Sequence, residues 1–89
     1  MLTYTIEHKR GSKLLVQKTL YVEGTADSSE REKLDTIFSD ALNSSDHLIV
    51  NIRNLEMPDY SFTVLIRALR RKAKHLGKQI TIDGELKIH

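Results

Sequence analysis

The stretch from His47 to Gly77, HLIVNIRNLEMPDYSFTVLIRALRRKAKHLG, constrains the fold more than any other part of the chain. Leu48, Ile49, Val50 and Ile52 form the most apolar run, with Asn51 inside it. A short apolar run without clean alternation predicts an inner strand covered on both faces, or nearly so. That strand gives way at Arg53-Asn54, and a loop continues to Pro58, the chain's single proline. Proline fixes its own φ and disfavours helix at the residue before it, so the next helix starts after Pro58. Asp59 or Ser61 caps it. Phe62, Leu65, Ile66, Leu69, Ala73 and Leu76 then recur at i, i+3, i+4, i+7, i+11 and i+14, the cleanest helical period present. Gly77 suits the C′ position, and the cations of the last turns complement the negative end of the helix dipole.

Upstream, Leu2, Tyr4 and Ile6 alternate with Thr3, Thr5 and Glu7, which predicts a half-buried strand. Lys9-Arg10-Gly11-Ser12 is a turn cluster. A second strand from about Lys13 to Glu23 places Leu14, Val16, Leu20 and Val22 on one side. Lys18 breaks that row, which predicts an edge position, a bulge or a bend near it. The two strands are close enough to form a hairpin. Gly24 ends the second strand. Asp27 or Ser28 can cap the helix that follows, and Asp27 with Glu30, or Ser29 with Glu32, has capping-box spacing. Leu34, Ile37, Phe38, Ala41 and Leu42 give this helix a one-sided apolar stripe. After Gly77, Ile80 and Ile82 alternate with Thr81 and Asp83 in a short final strand. The order is β-β-α-β-α-β. Right-handed strand-helix-strand crossovers then build an α/β fold, a four-stranded mixed sheet with two packed helices, in one domain over 1–89.

The chain has no cysteine, so disulfides and thiolate metal sites are excluded. No apolar run approaches a membrane span, and MLTYTIEHKRG has no signal-peptide core, so a cytoplasmic protein is expected. His8, His47, His75 and His89 lack metal-ligand spacing. There is no glycine-rich phosphate loop, nucleophile elbow or catalytic carboxylate pair, and Asp59 has no neighbouring histidine in sequence. The expectation is a protein that is not an enzyme and carries no cofactor or metal. The net charge of +2 says little, but its distribution says more. Arg67, Arg70, Arg71, Lys72, Lys74 and Lys78 crowd the second helix and its end, while acids dominate from Asp27 to Asp40.

The unit LIVNIRNLEMPDYSFTVLIRALRRKAKHLGKQITIDG, with LYVEGTADSSEREKLDTIF before it, resembles a STAS domain, the fold of bacterial anti-sigma factor antagonists. The likeness covers roughly Thr19 to Gly84 and rests on element order and spacing. In that family a hydrophobic strand and a short loop lead to Asp-Ser-Ser-Gly at a helix start. There the first serine is phosphorylated by a partner kinase that is also the anti-sigma factor. Ungapped alignment lays this motif on Asp59-Tyr60-Ser61-Phe62 and puts Tyr60 at the acceptor position. A shift of one residue, which improves the match of apolar helix positions, puts Asp59 there. Neither register supplies a serine at the acceptor position, and both lose the motif glycine. Only five residues follow Gly84, so the resemblance implies no counterpart of the family's C-terminal helix. An apolar surface left bare in this way favours a homodimer or a partner.

The resemblance implies a bacterial, non-enzymatic regulatory module that docks an anti-sigma or serine-kinase type of protein. The expected contact surface is Asn54, Met57, Pro58, Asp59, Tyr60, Ser61 and Thr63. Ser61 is the phosphorylation candidate, because exposed amides at a helix N-terminus stabilise a phosphate. Asp59 and Ser61 also have a plainer role as caps, and Tyr60 as a packing residue. Two alternatives remain. One is an accessory STAS subunit of a transporter. The other is a nucleic-acid-binding module using the basic helix 67–78, although such a face is more often merely solvated.

Overall fold

The computed structural model describes residues 2–10, 15–25, 30–56 and 61–84. Its elements are β1 (Leu2–Arg10), β2 (Val16–Thr25), α1 (Arg31–Asn43), β3 (His47–Glu56), α2 (Ser61–His75) and β4 (Gln79–Asp83). This is the β-β-α-β-α-β order expected from the periodicities. The strands lie in the order β1-β2-β3-β4 in one four-stranded sheet. β1 and β2 are antiparallel from Leu2↔Gly24 to Arg10↔Val16, while β2–β3 and β3–β4 are parallel.

Register explains the core. Ile6, Leu20, Val50 and Ile82 are aligned across all four strands. Leu20 and Val50 are sealed from solvent, and the row fades at both edges, with Ile82 half-buried and Ile6 43% exposed. The two helices close over β2, β3 and β4 with Leu34, Phe38, Ala41 and Leu42 from α1, and Phe62, Leu65, Ile66, Leu69 and Ala73 from α2. Phe38 meets Phe62 edge-on with ring centroids 6.0 Å apart, which locks the helices together. Tyr4, 45% exposed, shares the helix-side face of β1 with Ile6, beyond the helices' reach.

Several sequence expectations change. β3 is inner in the sheet but covered on one face only. Leu48, Val50 and Ile52 are buried, whereas His47, Ile49 and Asn51 on the other face are half-buried. The run looked doubly covered because Ile49 sits on the helix-free face, between Thr19 and Thr81 of the neighbouring strands. β3 also continues to Glu56 instead of yielding to a loop at Arg53-Asn54. Lys18 causes no bulge. It pairs in regular register with His8 and Leu48, and its Nζ reaches past the core rim to donate to Ser44 Oγ at 2.6 Å. The irregularity falls between Tyr21 and Glu23 instead. Leu76 is 44% exposed, because α2 stops at His75 and Leu76 belongs to the turn. Lys13, Asp27, Ser28 and Ser29 lie outside the described residues. At the start of α1, Glu30 occupies the N-cap without a side-chain capping bond.

One end of the sheet is stitched tightly. Asp46 accepts from the Val16 amide through Oδ2 at 2.7 Å and donates its own amide to the Val16 carbonyl at 2.7 Å. Its carbonyl accepts from the Gln79 amide at 3.1 Å, so a single residue joins the starts of β2 and β4. Lys78 Nζ donates to the carbonyls of Leu42, Asn43 and Ser45 at 3.0, 3.0 and 2.8 Å. An ammonium thereby occupies the negative end of α1. Gly77, at φ +68°, gives the left-handed turn that brings Lys78 there.

Candidate functional site

At the other end of the sheet β3 carries one extra residue. Tyr21 pairs with Asn51 but Glu23 pairs with Asn54, so Val22 faces both Ile52 and Arg53. A bulge of this kind shifts the side-chain alternation by one. Ile52 and Leu55 both enter the core, while Arg53, Asn54 and Glu56 face solvent. The bulge is held locally, since Asn51 Oδ1 accepts from the Arg53 amide at 3.2 Å. Arg53 also donates through Nε and Nη2 to Asp83 Oδ1 at 3.1 and 2.9 Å, and Asn51 Nδ2 donates to Asp83 Oδ2 at 3.4 Å. The Arg53–Asp83 pair is largely exposed, so it orients the strand ends more than it stabilises them.

Beside the bulge, Gly24, Thr25, Asn54 and Glu56 line a shallow polar hollow of about 260 Å³. The carboxyl ends of β2 and β3 form it, directly before the β3–α2 connection. Of the site residues expected from sequence, Asn54 is in this hollow and exposed. Thr63 is in the first turn of α2, half-buried, with its Oγ1 enclosed and without a hydrogen-bond partner. Ser61 is the first residue of α2. Met57, Pro58, Asp59 and Tyr60 lie outside the described residues. Glu56 and Thr25 are not among the expected site residues, because β3 continues past Arg53-Asn54 to Glu56 and β2 continues past Gly24 to Thr25. The signal was Leu55, whose burial requires the strand to continue past Asn54.

A larger groove of about 690 Å³ lies at the stitched end, between exposed Leu15 and Leu76. Three of its polar side chains already serve the fold: Asp46 on Val16, Lys78 on the α1 carbonyls, and His47 Nε2 with Thr81 Oγ1 at 2.9 Å. Among the described residues no cluster of three metal-ligating side chains occurs, and no helix is long and apolar enough to cross a membrane.

No protein-family model and no curated protein sequence matches the chain. Solved structures do. An anti-sigma factor antagonist, a STAS domain from Rhodobacter sphaeroides, is 16% identical over 91% of this chain and 86% of its own, with a TM-score of 0.67. The Bacillus cell fate determinant SpoIIAA in its phosphorylated form is 17% identical over 88% of this chain and 68% of its own, with a TM-score of 0.66. An anti-sigma factor antagonist from Mycobacterium paratuberculosis is 12% identical over 90% of this chain and 66% of its own, with a TM-score of 0.64. Identities this low establish a fold and leave function to be argued from the site. The chain has the STAS fold, as the strand-loop-helix unit implied.

Proposed function

We propose that this chain is a non-catalytic regulatory module of the STAS type, which binds a protein partner at the junction of β3 and α2. One observation carries the reading: the bulge in β3 turns Asn54 and Glu56 outward into a polar hollow beside that junction. The fold shared with anti-sigma factor antagonists supports the same kind of role. The contact surface comprises Asn54, Met57, Pro58, Asp59, Tyr60, Ser61 and Thr63, and the partner is of the anti-sigma or serine-kinase type. Docking is steric and electrostatic. A rigid strand and helix present a short connection, and negative charge at the helix start modulates the fit, whether from Asp59 or from a phosphate on Ser61.

The test is co-purification from the native host, with partners identified by mass spectrometry. The quadruple variant N54A/D59A/Y60A/S61A, with its far-UV circular dichroism unchanged, recovers the partner at about a tenth of the wild-type level or less, as expected when interface anchors are truncated. Equal recovery rejects the surface. Intact mass of the same wild-type sample reads out the Ser61 phosphate directly.

A further inference from the structure

The cations of α2 and of the turn after it divide into those the fold uses and those it does not. Lys78 belongs to the fold through its three carbonyl contacts. Lys72, Lys74 and His75 lie in the last turn, where the helix dipole favours them. Arg67, Arg70 and Arg71 lie before that turn, and the dipole's influence fades within one turn. All three are exposed, as is Lys74, and none of the four side chains makes an ion pair or hydrogen bond with another described residue. At i, i+3, i+4 and i+7 they form one stripe about 10 Å long, on an exposed flank of the helix. Like charges at these spacings destabilise a helix. Arg67, Arg70 and Arg71 therefore bear a mutual repulsion that the dipole does not offset, and Lys74, which the dipole favours, extends their stripe.

We propose that this stripe, Arg67, Arg70, Arg71 and Lys74, docks an acidic segment of a protein partner. The proposal deepens the partner-binding reading, since it assigns the charge of the surface that meets α2. Three of the four cations are arginines, whose planar forks match carboxylates in a bidentate manner. Two observations favour a short acidic segment over a polynucleotide. The helix exposes no Phe, Tyr or Trp, since Phe62 is buried, and this leaves only His75 and the arginine planes to stack bases. Beside α2 runs α1, whose exposed charges, Glu32, Asp35 and Asp40 against Arg31 and Lys33, leave a net charge of −1. An extended polyanion broad enough to cover both helices gains no further net attraction from α1, whereas a narrow acidic strand or helix follows the stripe alone.

Fluorescence anisotropy with labelled octaglutamate, and separately with a labelled short DNA duplex, tests this on the full chain at low and at physiological salt. The wild type is expected to bind octaglutamate more tightly than the duplex. The charge-reversal variant R70E/R71E is expected to weaken octaglutamate binding by about tenfold or more, as two lost charge-paired contacts imply. The variant K9E alters an exposed residue of the edge strand β1 and, at physiological salt, where charges more than about 10 Å apart are largely screened, should change binding by less than about twofold. A tighter duplex complex, a loss in K9E equal to that in the single variant R70E at physiological salt, or no octaglutamate binding at low salt overturns the proposal. The junction variant N54A/D59A/Y60A/S61A keeps every stripe cation. Its octaglutamate binding therefore separates failure of the stripe from failure of the junction.

Discussion

Lys78 makes the sharpest quantitative test of how this fold is held. Its side chain leaves the α2–β4 turn and places Nζ 2.8–3.0 Å from three carbonyl oxygens at and just beyond the end of α1. Lys78→Met keeps the aliphatic stem and removes the ammonium. Two of the three contacts are partly buried, and each is worth about 1 kcal/mol net; the exposed third is replaced by water at little cost. Loss of a cation at the negative helix end adds roughly 0.5 kcal/mol. Part of this is returned, because the half-buried ammonium no longer pays desolvation. The net expectation is a destabilisation of about 2 kcal/mol. Urea unfolding followed by circular dichroism should show a midpoint lower by roughly 1–2 M with an unchanged slope, given a slope of about 1 kcal/mol per M or slightly more for a domain this small. Lys78→Arg should fall between the two, because a planar guanidinium cannot converge on three oxygens as a point charge does. A change below about 0.5 kcal/mol in Lys78→Met, the size of an ordinary surface substitution, refutes the reasoning.

Phe38→Ala removes a fully buried ring that meets Phe62 edge-on. It should cost about 3–5 kcal/mol, a large share of a small domain's stability, and calorimetry should show a strongly depressed or absent transition. Gly77→Ala should cost only about 1 kcal/mol, from the left-handed backbone alone, since a Cβ there meets nothing within 4 Å. A fall of roughly 5 °C in Tm is expected, and a much larger one means that the turn is tighter than its surroundings indicate.

The elements legible from sequence were those with a strong period and one buried face. Phe62 through Ala73 of α2 needed only the 3.6-residue spacing, and the stripe of α1 likewise marked its core face. The hairpin of β1 and β2 followed from two alternating runs, although Lys9 and Arg10, expected in the turn, extend β1 and pair with Gln17 and Val16. The β3 bulge was not legible. Alternation counts sequence positions, and an inserted residue changes parity without any composition signal, so Asn54 and Glu56 read as loop. Ile49 misled for a related reason: one apolar residue on the helix-free face makes a singly covered strand look doubly covered. Lys78 read as part of a cationic helix face, because a contact spanning more than thirty residues leaves no local trace.

The two ends of the sheet are built for different purposes. Where β2, β3 and β4 begin, Asp46 and Lys78 spend their polar groups on the chain itself, joining three strands and capping a helix. Where β2 and β3 finish, the bulge does the opposite and turns Asn54 and Glu56 out of the ladder's regular alternation toward solvent. In a domain this small the core alone supplies limited stability, so fastening one end firmly is what permits irregularity at the other. Lys78→Met should lower stability while leaving octaglutamate binding at the α2 stripe within about twofold of wild type, measured below the unfolding transition, since the substitution keeps the Lys78 amide on the Ala73 carbonyl and with it the end of α2. A large loss of binding in that variant means that the stripe depends on how α1 is capped, and that the two helices act as one surface.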